Sequence, residues 1–264
     1  MFNTFKASTA KASMAKASMA KASMAKASTA LYLALAIIAL PSCAEASENN
    51  ASPNKAEIES VIKAYLLENP EIIRDALILL EEKENRQSIR DVAKELRHDS
   101  RDYSIGPKNA KVTIVEFFDY NCTFCKRSTA WVQSVMATYP KDVRVIFKEL
   151  PILDRRTRTS RNAAKAALAA HKQGKYSEMH FALMDASDLS ETFINTTAKR
   201  LGLNMRKFEA ALKDPALDVQ LEDGMRLAGR IPGLTGTPFF VINDTFLASG
   251  DTIALQIMLD MELE

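Results

Sequence analysis

A chain of 264 residues with 35 Lys and Arg against 33 Asp and Glu, 47% hydrophobic and 26% charged, has enough apolar content to bury a core. That balance excludes a disordered polyelectrolyte, a multi-pass membrane protein and a Gly/Pro-rich fibrous chain. Three cysteines are too few for a disulfide-stapled scaffold, and two of them stand in one C-x-x-C.

Residues 1–44 carry five lysines and no acid, and K-A-S-[TM]-A repeats five times from Lys6 to Ala30. The apolar run Leu31–Leu40 follows, then P-S-C-A-E-A. This order of basic, apolar and small residues is that of a secretory signal peptide. Ten apolar residues span about 15 Å as helix, short of a bilayer core of roughly 30 Å. The expectation is a signal peptide over 1–44, lost on export to the periplasm or bacterial envelope. The alternative is lipoprotein anchoring through Cys43, a pattern that Pro41 fits poorly. Removing five lysines and no acid takes the formal charge of +2 to −3, and the exported chain keeps Cys122 and Cys125 alone. An oxidising compartment allows such a pair to cycle through a disulfide.

A polar linker over 45–54 leads into a helical region over 55–98. Ile58, Val61, Ile62, Tyr65 and Leu66 recur at helical spacing. Asn69 is positioned as an N-cap, with Pro70 and Glu71 opening the next helix. That helix runs through Ile72–Leu80, a polar stretch Glu81–Ser88, and Ile89, Val92 and Leu96. A unit of this size cannot bury its apolar face alone. The expectation is an oligomerisation arm, dimeric or trimeric, joined by a charged linker helix; the alternative is that both helices fold back on the main domain.

From residue 103 to 264 the pattern is β-α-β, a helical insert about 157–228, then β-β-α. Lys111–Phe118 reads as a buried strand, Cys122 opens a helix, Val143–Leu150 is a second strand, and Asn243-Asp244 turns a closing hairpin.

The pair Cys122-Thr123-Phe124-Cys125 lies where a strand ends and a helix begins. There the unpaired N–H groups and helix dipole favour thiolate at Cys122, and Cys125 shares its face and can close or resolve a disulfide. Zinc would require two further ligands, and His98, His171 and His180 are read as a linker residue, a surface residue and a packed residue, so no metal and no cofactor is expected. Gly236-Thr237-Pro238-Phe239-Phe240-Val241 puts a proline at the mouth of a strand, where it lacks the donor a sheet uses. A cis Thr237–Pro238 bond would set the Thr237 backbone against the sulfurs, free to pair with an extended substrate. Glu116, in an otherwise apolar strand, reads as a proton relay for the thiols, with a salt bridge to Lys148 as the structural alternative.

The stretch V-E-F-F-D-Y-N-C-T-F-C-K, residues 115–126, and G-T-P-F-F-V-I-N, residues 236–243, resemble the active-site and cis-proline segments of DsbA-like thiol–disulfide oxidoreductases of the thioredoxin superfamily. The resemblance implies a thioredoxin fold with an inserted helical domain. It places the nucleophile on Cys122, the resolving cysteine on Cys125, their redox disulfide between the two, the buried acid on Glu116, and the substrate-contacting loop on Thr237 and Pro238. Thr123 and Phe124 stand where strongly oxidising relatives have Pro-His, which implies a milder oxidant, and they complete the candidate substrate contacts. Thr before the cis-proline is similar to dimeric isomerases, and the arm resembles the oligomerisation regions of suppressor-of-copper-sensitivity proteins.

The function expected is a periplasmic protein disulfide isomerase or bifunctional thiol–disulfide oxidoreductase. Its partners would be unfolded or misoxidised exported proteins and a membrane redox partner that resets the pair. The rival readings are a dithiol oxidase only, an envelope chaperone or binding module, and a lipid-anchored outer-membrane antigen. Nucleic acid is not an expected partner, because Arg155, Arg156, Arg158 and Arg161 lack an aromatic platform.

Overall fold

The computed structural model describes residues 54–264; the expected signal peptide, most of the expected linker and Cys43 lie outside them. In chain order the elements are α1 (Lys55–Glu68), α2 (Glu71–Asp91), α3 (Ala93–Arg97), β1 (Tyr103–Ile105), β2 (Val112–Phe118), α4 (Thr123–Thr138), β3 (Val143–Glu149), α5 (Asp154–Thr157), α6 (Ser160–His171), α7 (Tyr176–Asp185), α8 (Glu191–Arg200), α9 (Met205–Leu212), α10 (Pro215–Ala228), β4 (Phe239–Ile242), β5 (Thr245–Leu247) and α11 (Thr252–Leu263). The sheet order is β1-β3-β2-β4-β5. The β2–β3 pair is parallel, and the other pairs are antiparallel. Between β3 and β4 lie the helices α5 to α10.

The apolar residues of β2 leave no face for water, as a central strand covered on both sides requires. Its alternation divides the core in two. Val112, Ile114 and Phe118 face α4, α11 and the insert, where Trp131, Val132, Leu255 and Leu259 meet them. Val115 and Phe117 face the other way, against Ile89, Val92, Leu96, Leu227 and Ile231. Asn243, at φ 48°, takes the left-handed turn that the hairpin needs. The short edge strand β1 was not expected; Gly106 follows it at φ 99°, where a Cβ would fall 2.2 Å from the Val143 carbonyl oxygen.

Three expectations are corrected. The 55–98 region is not one arm ending at the domain boundary: Ile89, Val92 and Leu96 are buried on the sheet, so the folded core begins near residue 89. A break at Val92, φ −107°, separates α2 from α3 and turns α3 along that face. Asn69 does not cap α2; its amide donates to the Tyr65 carbonyl at 2.9 Å and so closes α1, and α2 starts from Pro70 with no side-chain cap. Third, Lys148 does not pair with Glu116. The register puts Glu116 opposite Phe147, one residue earlier, so Lys148 projects from the other face, where it pairs with Asp102 and donates to the Glu95 carbonyl at 2.5 Å.

Leu96 is fully buried, and Leu96→Ala is expected to cost about 2–5 kcal/mol through the transfer and cavity terms of a core truncation. Urea denaturation followed by tryptophan fluorescence checks this; a cost below about 0.5 kcal/mol, the range of surface positions, contradicts the burial.

Candidate active site

The site forms at the C-terminal end of β2, where the chain turns into α4. Cys122 is the N-cap of α4, at φ −80° and ψ 113°. Its sulfur takes the place of a capping oxygen, accepting the Cys125 backbone N–H at 3.3 Å. The thiol in turn donates to the Thr237 carbonyl at 3.1 Å. The Thr237–Pro238 peptide bond is cis, as expected from a proline at a strand mouth taken together with the upstream C-x-x-C. Both cysteines are free thiols.

The two thiols are electrostatically unequal. The Cys125 thiol, hydrogen-bonded to Cys122, is the largest influence holding the Cys122 pKa down from 9.0 to about 6; the Thr237 side chain and the helix N–H groups add to it against the cost of burial. Cys125 is fully buried, and desolvation followed by its bond to Cys122 pushes its pKa far up. Glu116 lies on the face of β2 shared with the cysteines. It is 1% exposed and its Oε1 has no hydrogen-bond partner among the described residues. Desolvation, followed by repulsion from Cys122, lifts its pKa from 4.5 to about 8. A carboxyl titrating there can give or take a proton near neutral pH.

Between the sequence-predicted contacts a groove runs beside Cys122, walled by Phe124 and by the loops 235–238 and 248–250. Phe124 is 59% exposed, its ring covered on one side by the Arg127 guanidinium at 4.4 Å. Thr123 is also exposed and Pro238 is buried. The structure therefore brings together Cys122, Cys125, Thr237, Pro238 and Phe124, with Glu116 beneath.

Several residues escaped the sequence reading. Gly250 allows the close approach of the walls, since a Cβ there would sit 3.1 Å from Pro238 Cγ and 3.2 Å from the Phe124 carbonyl oxygen; a Gly between a strand and the N-cap Asp251 was the available signal. Asp119 anchors the turn before Cys122, accepting the N–H groups of Asn121 and Leu153 and the Ser160 hydroxyl. Lys126 donates to the carbonyls of Leu183, Met184 and Ala186 at the end of α7, fastening the insert to the site helix. Glu149 accepts from the Tyr120 and Tyr176 hydroxyls, and Tyr120 also meets His180 Nδ1 at 3.0 Å. Of the histidines, His180 is packed as expected, whereas His171 is half-buried rather than a surface residue and lies edge-on to Tyr103.

The sheet order, the inserted helices and a C-x-x-C facing a cis-proline define a thioredoxin-fold protein of the thiol–disulfide class. The family described as "DSBA-like thioredoxin domain" matches residues 113–256, and the "Copper resistance protein ScsC N-terminal domain" matches residues 54–87. The chain belongs to the DSBA-like thioredoxin-domain family, within the thiol–disulfide oxidoreductases. Among solved structures it is similar to a thioredoxin-like oxidoreductase from Silicibacter pomeroyi, 36% identical with TM-score 0.58 over 64% of this chain and 95% of that one. It is also similar to the catalytic domain of Proteus mirabilis ScsC, 30% identical with TM-score 0.59 over 67% and 98%. Proteus mirabilis ScsC in a transitional conformation covers more, 79% of this chain and 96% of that one, at 29% identity and TM-score 0.60. The Na(+)/H(+) antiporter NhaA 3 of Salinispora tropica is 33% identical over 150 residues, which make up 54% of this chain and 22% of the antiporter. The chain thus spans about a fifth of that relative's length. No helix among the described residues is long and apolar enough to cross a membrane.

Proposed function

We propose that the chain is an exported protein disulfide isomerase, or bifunctional isomerase and oxidase, working in the periplasm or envelope on proteins with unformed or wrong disulfides. The observation that carries this reading is the Cys122 sulfur, held as the N-cap of α4 and 3.1 Å from the Thr237 carbonyl. In isomerisation the Cys122 thiolate attacks one sulfur of a substrate disulfide and forms a mixed disulfide, and the other substrate sulfur leaves as thiolate. A different substrate thiolate then attacks the substrate sulfur and regenerates Cys122, with no net change in oxidation. If the intermediate stalls, Cys125 passes its proton to Glu116 and attacks Cys122. The pair is oxidised, the substrate leaves reduced by two electrons, and a membrane redox partner must return those electrons to the pair. Run in reverse from the Cys122–Cys125 disulfide, the same steps oxidise a substrate dithiol. An extended substrate segment would pair with the backbone of Thr237 and lie against Phe124, Thr123 and Pro238.

Isomerase work gains from several sites facing one bound chain, and the arm favours it. Ile58, Val61, Ile62 and Tyr65 along one side of α1, and Ile73, Leu77 and Leu80 along one side of α2, are 45–69% exposed. An apolar face of this extent is what other copies of the chain would cover, giving a dimer or trimer through α1 and α2. In a refolding assay on scrambled ribonuclease, Val61→Glu with Leu77→Glu is expected to sediment as monomer and lose most isomerisation while still oxidising a dithiol peptide. Equal isomerisation by a proven monomer contradicts the role given to the arm.

A further inference from the structure

The surface beside Cys122 carries a concentration of positive charge that thiol–disulfide exchange itself does not use. Asn121, the residue before Cys122, donates its side-chain amide to Thr157 Oγ1 at 3.2 Å, Thr159 Oγ1 at 3.0 Å and Ser160 Oγ at 2.8 Å. These bonds tie the α5–α6 turn to the edge of the site. The same turn displays Arg155, Arg156 and Arg158, all exposed and none ion-paired among the described residues. Arg158 holds φ 59° at the end of α5. On the other side of the cysteine the exposed Arg127 lies over Phe124.

No neighbouring acid forms an ion pair with these four guanidinium groups among the described residues. Asp119 is buried on its three donors. Asp154 accepts the Arg161 backbone N–H, Asp251 caps α11, and Asp185 faces Lys126, whose ammonium is already held by carbonyls. Arg161 turns away to Asp218 and Glu222. Four arginines therefore border the thiol in a chain whose exported part is expected to be net acidic. Such a segregated field raises the local concentration of oppositely charged segments and is screened by salt.

We infer that the rim formed by Arg127, Arg155, Arg156 and Arg158 selects protein substrates whose reacting cysteine lies beside acidic residues. This deepens the proposed activity and rests on it. A peptide paired along Thr237 would carry its flanking side chains toward these guanidinium groups, whose permanent positive charge attracts carboxylates.

The test uses the reduced chain 45–264 and three disulfide-bonded peptides, flanked by Asp and Glu, by Ser and Gly, or by Lys. The second-order rate of exchange is measured at 20 mM and 500 mM NaCl. The acidic peptide is expected to react about tenfold faster than the neutral one at low salt, with the gap closing at high salt and the Lys peptide slowest. Within Arg155→Gln/Arg156→Gln the acidic-to-neutral ratio falls toward one, and Arg155→Lys/Arg156→Lys restores it. Equal rates for the three peptides at low salt, or a ratio unmoved in the Gln variant, overturn the inference. Arginine-dependent binding to phosphatidylglycerol vesicles with no peptide preference assigns the rim to a lipid surface and also overturns it. No exchange with any peptide is a different failure, that of the activity itself.

Discussion

Replacing Cys122 with Ser is expected to reduce thiol–disulfide exchange to the uncatalysed background, while Cys125→Ala keeps the attack but accumulates mixed disulfides. The asymmetry follows from the geometry: Cys122 reaches the groove and titrates near 6, whereas Cys125 is enclosed and holds its proton. At pH 7 a thiol with pKa about 6 is roughly nine-tenths thiolate, against about one-hundredth for one at 9.0. Most of that gain is offset, because intrinsic nucleophilicity falls with pKa with a coefficient of about 0.4–0.5, leaving a several-fold advantage. The larger effect is on the stability of the reduced form. A thiol whose pKa is lowered by folding stabilises the folded chain fully above the unfolded pKa of 9.0 and loses that contribution as pH falls through about 6. At pH 7 this amounts to about 1.4 kcal/mol, or about 30 mV in the two-electron couple. The rate of Cys122 alkylation by iodoacetamide should therefore be half-maximal near pH 6; a midpoint near 9 contradicts the hydrogen bonding described.

The second large effect is at Glu116. Its pKa is higher folded than unfolded, so the folded chain binds the proton more tightly and stability falls as pH rises from about 4.5, with the loss complete above about 8. Relative to the parent, Glu116→Gln should gain about 3 kcal/mol between pH 4 and pH 7. Gln brings an amide into an apolar site, so its stability at a single pH also includes an unsatisfied-donor cost; the pH-dependent difference is free of it. The same variant loses the proton acceptor for Cys125, and resolution of a mixed disulfide should slow by about 100-fold. Thermal melts from pH 4 to 8 and quenched-flow resolution kinetics check the two halves. A pH-independent stability difference contradicts the buried, unpartnered carboxyl.

The parts of this fold legible in the sequence are those with strong local chemistry. Lys111–Phe118 could only be a covered strand, and a C-x-x-C after it had to open a helix. Pro238 before a strand marked the loop opposite. What the sequence concealed depended on register or on distant partners. Glu116 and Lys148 are neighbours in strand order, but a parallel pairing one residue offset sends them to opposite faces. Ile89, Val92 and Leu96 showed helical spacing, yet the polar run Glu81–Ser88 disguised where the arm ends and the core begins. β1 is three residues long, too short for an alternation to register. The bonds of Glu149 to Tyr120 and Tyr176 join positions 27–29 residues apart, and no local pattern announces them.

The central claim is that Cys122 alone meets substrate sulfur. Incubating Cys125→Ala and Cys122→Ala separately with an oxidised cysteine peptide and mapping any trapped mixed disulfide by mass spectrometry tests it directly. Expected is a peptide bonded to Cys122 in Cys125→Ala, with a pH midpoint shifted up from about 6 because the Cys125 hydrogen bond is lost, and no peptide bonded to Cys125 in Cys122→Ala. An adduct at Cys125 in Cys122→Ala, or none at Cys122 in Cys125→Ala, contradicts it.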